Sequence, residues 1–125
     1  MAKNLTVTHD PDNNILYIIR EGDMTLPDMR EGIEKLQTHP DFASIDKIIS
    51  DLTAAKFSFG PTEMREHSRH VDQIVFQNEQ LRVAIIAPKD IDFGMSRVFS
   101  LYSKNTENIR VFRTRDEALE WLDIH

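Results

Sequence analysis

Apolar residues recur along this chain in two rhythms that alternate. Leu5 and Val7 alternate with polar neighbours, the period of a strand with one covered face. Asp10-Pro11-Asp12-Asn13-Asn14 is dense in turn-forming residues. Ile15-Leu16-Tyr17-Ile18-Ile19 then has the character of a strand buried on both faces, and the two strands predict a β-hairpin. Thr25 stands where an N-cap belongs, with Asp28 placed to complete a capping box. Leu26, Met29, Ile33 and Leu36 follow at helical spacing, which predicts an amphipathic helix over 26–38 that Pro40 ends.

The alternation continues to the C-terminus. Ile45 to Ser50 reads as a short strand, and Leu52 to Gly60 as a long loop. Pro61 suits the first helical position and Glu63 the first turn, with Met64, Ser68, Val71 and Val75 as the inward stripe. Leu81 to Ala87 is the clearest buried strand, ended by Pro88-Lys89-Asp90. Ile91, Met95, Val98 and Tyr102 then share one helical face, which is expected to cover the core. Ile109, Val111 and Phe112 mark a last strand. Thr114-Arg115-Asp116-Glu117 is a capping box, opening a helix packed by Ala118, Trp121 and Leu122.

The order is ββαβαβαβα, an α/β fold with a mixed sheet of about five strands and about four helices. Crossovers between parallel strands are expected to be right-handed. With 125 residues and neither linker nor repeat, 1–125 reads as a single domain. A 40% hydrophobic and 29% charged composition is globular rather than disordered.

Charge and residue usage narrow the chemistry. Lys and Arg total 15 against 21 for Asp and Glu, a net charge of -6, which disfavours nucleic acid and anionic lipid surfaces. The absence of cysteine removes thiolate nucleophiles, disulfides and zinc–sulfur sites. No apolar run has membrane-span length, and Met1-Ala2-Lys3-Asn4 leads directly into a strand without an apolar signal core. A cytoplasmic protein is expected.

Three strings carry a family resemblance: Ile48-Ile49-Ser50-Asp51-Leu52-Thr53, Asp92-Phe93-Gly94-Met95-Ser96-Arg97-Val98-Phe99, and Arg110-Val111-Phe112 leading to Glu117-Ala118-Leu119-Glu120-Trp121-Leu122. With the element order, they resemble the SpoIIAA-like proteins, relatives of the STAS domain, across nearly the whole chain. The resemblance implies a SpoIIAA-like (STAS-like) fold and a regulatory role with a protein partner. In STAS anti-sigma antagonists a strand ends in aspartate followed by a phosphorylatable serine at a helix start. Asp51 matches the aspartate, the next residue is Leu52, and Thr53 is the candidate phosphorylation site one position later. At fold level the resemblance extends to lipid-binding CRAL-TRIO-like domains, which implies a small apolar ligand as an alternative.

Candidate binding residues fall in two segments. The loop from Asp51 to Gly60 leaves the carboxyl end of a strand, where open α/β sheets bind ligands. Thr53, Lys56 and Ser58 offer polar contacts there, and Phe57 and Phe59 apolar ones. The same segment would also serve as a connector whose phenylalanines tuck into the core. On the helix after the buried strand, Gly94 would permit a close approach, Arg97 offers a fork of donors for a carboxylate or phosphate, and Phe93 falls off the expected core face. Packing and a surface ion pair are the plainer reading. Glu63, His67 and His70 share a helical flank, but no further ligand accompanies them, so they read as a solvated flank and no metal is expected.

No phosphate-cradling loop, nucleophile elbow or selectable acid–base pair is present, and no cofactor is expected. The reading that results is a non-enzymatic binding or regulatory module engaging a protein partner through the loop after the third strand and the adjacent helix. A lipid carrier with a pocket of roughly 300 Å³ or more is the alternative, and self-association into a homodimer is a further candidate. An enzyme would have to draw on Asp51, Thr53 and Lys56, whose spacing lacks a base-and-nucleophile arrangement.

Overall fold

The hairpin expected at the start of the chain is present in the computed structural model of the protein, which describes residues 5–76 and 78–124. The expected leader-free segment Met1–Asn4 lies outside the described residues. Strand β1 (Leu5–Asp10) pairs antiparallel with β2 (Ile15–Met24). The turn between them is held by the Asp10 carboxylate, which accepts from the Asp12 amide at 3.1 Å and the Asn13 side chain at 2.9 Å. Asn14 takes the left-handed conformation, φ 57°, which asparagine tolerates better than most residues.

Helix α1 (Leu26–Gln37) begins at the Thr25–Asp28 capping box, β3 spans Lys47–Phe57, α2 spans Pro61–Ile74, and β4 spans Arg82–Ile86. Helix α3 (Asp90–Tyr102), β5 (Ile109–Phe112) and α4 (Arg115–Trp121), capped by Thr114 and Glu117, complete the chain. The five strands form one sheet in chain order, with β2 to β5 mutually parallel. This is the mixed sheet with four helices that the pattern predicted.

Alternation along the strands builds two cores. Leu16, Ile18, Ile48, Leu52, Val83 and Ile85 point to the face covered by α1, α2 and α3. Ile15, Ile49, Ala84 and Ile86 point to the other, where α4 supplies Ala118 and Leu122. Ile48 and Val83 are register partners in the central layer, as are Ser50 and Ile85.

Three expectations are corrected. First, the segment 52–57 is strand rather than loop, so the connector shrinks to Ser58–Gly60. Strand β2 continues past Arg20 and offers its backbone to the longer β3, pairing Glu21–Met24 with Ala54–Phe57. The register shifts between Ile19 and Glu21 because β3 carries one extra residue there, a β-bulge at Leu52–Thr53 opposite Arg20. Second, α3 buries Asp92, Ser96 and Phe99 most deeply; of the expected face, Met95 and Val98 are partly buried and pack against the core, while Ile91 and Tyr102 are exposed. A one-residue shift of face is a rotation of about 100°. Small side chains explain it: Ser68 and Ser96, both fully buried, let α2 and α3 approach, and the Ser68 hydroxyl donates to the Phe99 carbonyl at 2.8 Å. Third, His67 is buried at 3% exposure and is not part of a solvated flank.

Candidate functional site

The residues singled out along 51–59 do not form one cluster. The Asp51 carboxylate accepts from both the Thr53 amide, at 2.9 Å, and the Thr53 hydroxyl, at 2.6 Å. That pair closes the bulge on β3 and stands well before the start of α2. Phe57 is buried, and its ring lies 5.4 Å from that of the partly buried Phe59, so both phenylalanines pack the core. Lys56 and Ser58 are exposed.

The end of β3 is joined to the start of α3. Buried Asp92 accepts from the Phe57 amide at 3.4 Å, and Lys89 donates to the Ala55 carbonyl at 2.9 Å. Among the described residues no atom lies within 4 Å of where a Cβ on Gly94 would sit, so that glycine accommodates no close approach within the chain. Phe93 lies under the Arg113 guanidinium, 4.2 Å from its ring centroid. Phe93 and Arg97 come together in a groove of about 320 Å³ between α3 and β5, with Leu101, Ile109 and Arg110. Strand β5 ends the sheet order, so its outer side has no neighbouring strand. Along the same helix Ile91, Leu101 and Tyr102 are 74%, 65% and 51% exposed, and Arg65 reaches over the Tyr102 ring at 4.4 Å.

A second site lies inside, between the sheet and α1 to α3. Ile18, Met29, Ile33, Ile48, Met64 and Phe99 help to line a cavity of about 60 Å³, and Arg20, His67 and Ser96 line it as well. All three polar residues are 3% exposed or less. Among the described residues, Arg20 Nε and Nη1, His67 Nδ1 and Ser96 Oγ have no hydrogen-bond partner. Burying a polar group unpaired, and a charge above all, is costly. Burial pushes the Arg20 guanidinium down to about 10, against the opposing pull of Asp28, so it stays cationic at neutral pH. Burial first, then the charges of Arg20, His70 and Arg30, push His67 down to about 3, which keeps its imidazole neutral.

Sequence reasoning passed over this site although its signal is present. Extending the Leu16–Ile18 alternation by one step turns Arg20 inward, and His67 adjoins the Met64–Ser68–Val71 stripe. Unpaired polarity, however, is a property of three-dimensional neighbours. The cavity has about a fifth of the volume anticipated for a lipid pocket, so in this conformation it has room for a small group but not for an acyl chain. Among the described residues no set of three His, Asp or Glu side chains is placed to hold a metal ion, and no helix is long and apolar enough to cross a membrane.

The architecture is that of the SpoIIAA-like fold. One similar solved structure is an uncharacterized protein of the DUF3478 family, with a SpoIIAA-like fold, from Shewanella loihica PV-4; at 19% identity it matches with a TM-score of 0.61 over 94% of this chain and 91% of that one. The anti-sigma factor antagonist SpoIIAA in its unphosphorylated form matches at 15% identity and a TM-score of 0.56, over 95% of this chain and 97% of that one. The Bacillus cell fate determinant SpoIIAA in the phosphorylated form matches at 15% identity and 0.53, over 94% and 98%. No protein-family model and no curated protein sequence matches the chain.

Proposed function

We propose that this chain is a non-enzymatic regulatory module that engages a protein partner through the outer side of α3 and the adjoining edge of the sheet. One observation carries the reading: α3 keeps three large apolar side chains, Ile91, Leu101 and Tyr102, more than half exposed. The stripe Ile91–Met95–Val98–Tyr102 has the spacing of a buried face, yet its two ends stand more than half exposed. Exposed apolar strips of this kind mark contact surfaces. Arg97 and Arg110, in the groove on the other flank of α3 beside exposed Leu101, in a chain of net charge -6, favour a partner that presents apolar and acidic residues together. The role of SpoIIAA as an anti-sigma factor antagonist agrees with a partner-binding use of this fold.

The surface continues to the end of β3 through the Asp92–Phe57 bond, which brings Lys56, Ser58, Phe93 and Arg97 to its margin. Phosphate on Thr53 is not part of the proposal, because Thr53 lies within β3 and not at a helix start, and its hydroxyl donates to the Asp51 carboxylate. An enzymatic role for Asp51, Thr53 and Lys56 finds no support either, since the first two satisfy each other and Lys56 has no activating partner among the described contacts. We place the encounter in the cytoplasm, in keeping with a cysteine-free chain.

Crosslinking mass spectrometry in cells tests the reading. Crosslinks to one protein species should map to α3 and β5 and disappear in an Ile91→Asp/Tyr102→Asp variant. Crosslinks that survive in that variant, or that map to another face, would overturn it. Crosslinks solely between copies of this chain would replace the foreign partner with a homodimer and overturn it equally.

A further inference from the structure

We propose that the internal cavity is a binding site for a small organic monocarboxylate, with the carboxylate on Arg20, His67 and Ser96 and a short apolar tail among Met29, Ile33 and Met64. This inference is independent of the α3 surface.

The argument begins with charge. The cavity holds one buried cation, the Arg20 guanidinium, with two of its nitrogens unpaired. Asp28 senses that charge but does not neutralise it at close range. Its carboxylate accepts from the Thr25 amide at 2.9 Å as part of the helix cap. A monoanion balances the single cation. A phosphate dianion would bring a second negative charge with no second cation to meet it, because the neighbouring imidazole is neutral. A neutral ligand would leave the guanidinium uncompensated.

Donor geometry and size narrow the class further. A guanidinium presents a planar fork matched to the two oxygens of a carboxylate, and the Ser96 hydroxyl and the imidazole Nδ1 offer further hydrogen bonds. A buried water takes at least about 10–15 Å³ of such space, so a cavity of about 60 Å³ accommodates roughly four to six non-hydrogen atoms. The rest of the wall is almost entirely aliphatic, aromatic or thioether, which suits a short hydrocarbon tail. The chain also makes room for the cation. A Cβ on Gly32, in the middle of α1, would come within 2.6 Å of both terminal nitrogens of Arg20. A glycine inside a helix costs about 1 kcal/mol relative to alanine, and here it clears the space in which the guanidinium sits.

Acetate, butyrate and uncharged butyramide, at matched ionic strength, are the probes for the full-length chain. Butyrate should raise the melting temperature by on the order of 5 °C at ten times its dissociation constant. It should also give nuclear Overhauser contacts to the methyl groups of Met29 and Met64, which an anion on the outer surface would not reach. Arg20→Met should abolish the butyrate shift. Should that variant fail to fold, Ser96→Ala serves instead and should weaken butyrate about tenfold, as loss of a hydrogen bond to a charged group does. Three results would overturn the proposal: no response to either carboxylate, which would leave a cavity holding water only; an equal response to butyramide; or undiminished butyrate binding in Arg20→Met.

Discussion

The Arg20 guanidinium is packed so closely on Gly32 that a methyl group there would lie 2.6 Å from both Nη atoms. A charged residue on β2 and the missing side chain of a residue on α1 are thus a single structural unit. Arg20 faces the core because the alternation of β2 continues through it, and α1 lies over it. The bulge at Leu52–Thr53, opposite Arg20, lets the β2–β3 pairing run on to Met24 and Phe57.

This coupling makes the effect of one substitution depend on the background that carries it. Gly32→Ala gains helix propensity, about 1 kcal/mol, but forces a buried side chain to move, which costs typically about 1–3 kcal/mol. In the wild-type background the net effect should lie between neutral and a loss of about 2 kcal/mol. With Arg20→Ala already present, the same change should be neutral or stabilising by up to about 1 kcal/mol. Urea unfolding of the four proteins in this cycle measures the difference. Additive effects would mean that the two residues do not share the space described.

Removing the cation should strengthen the unliganded fold. Arg20→Met exchanges an unpaired buried charge for a flexible apolar chain, and such exchanges are neutral or stabilising by about 1–4 kcal/mol. A rise in the urea midpoint at unchanged slope is the expected result. A loss of more than about 2 kcal/mol would show that the guanidinium is held by compensating partners.

Acid should expose His67. Its folded value, about 3, lies below the ordinary 6.5, so between these two values the unfolded chain binds a proton that the native chain refuses. Stability from this group is therefore complete above about pH 6.5 and falls as the pH drops toward 3, by up to about 1.4 kcal/mol per pH unit. Arg20, His70 and Arg30 all contribute to the depression. The Asp28 carboxyl, lowered from 3.8 chiefly by its bond from the Thr25 backbone, adds its own loss only near and below that value. Urea midpoints from pH 7 to pH 4 should fall steeply in the wild type and much less in His67→Asn. Parallel slopes would place His67 in contact with water.

The sequence was most readable where each rule concerned nearest neighbours. Thr25–Asp28 and Thr114–Glu117 are complete capping boxes, and Ile15, Ile48 and Ile85 fall on strands as their alternation required. It misled where two elements bargain over one surface. Nothing local in Leu52–Phe57 reveals that β2 will extend to meet it. Likewise, Ile91–Met95–Val98–Tyr102 is the better apolar stripe of α3, but Asp92, Ser96 and Phe99 win because close packing on α2 needs small groups and Asp92 has a backbone amide to bind. Of the expected site, Phe93 and Arg97 share a groove. Arg20, His67 and Ser96 escaped notice because a lone charge looks the same in sequence whether or not it has a partner.

The outer stripe of α3 should separate binding from stability. Ile91 and Tyr102 are 74% and 51% exposed, so Ile91→Asp and Tyr102→Asp should each change folding stability by no more than about 0.5 kcal/mol. Phe99, 8% exposed on the buried face of the same helix, should cost about 3–5 kcal/mol when cut to alanine. If the exposed pair were merely a frayed part of the core, all three variants would lose stability in proportion to the apolar area removed. A contact surface predicts instead that Ile91→Asp and Tyr102→Asp keep the wild-type urea midpoint while weakening partner binding by at least about tenfold, the effect of 1.4 kcal/mol at an interface residue. Measuring midpoint and affinity on the same samples distinguishes the two, because only a surface built for another molecule lets affinity fall while the fold stands.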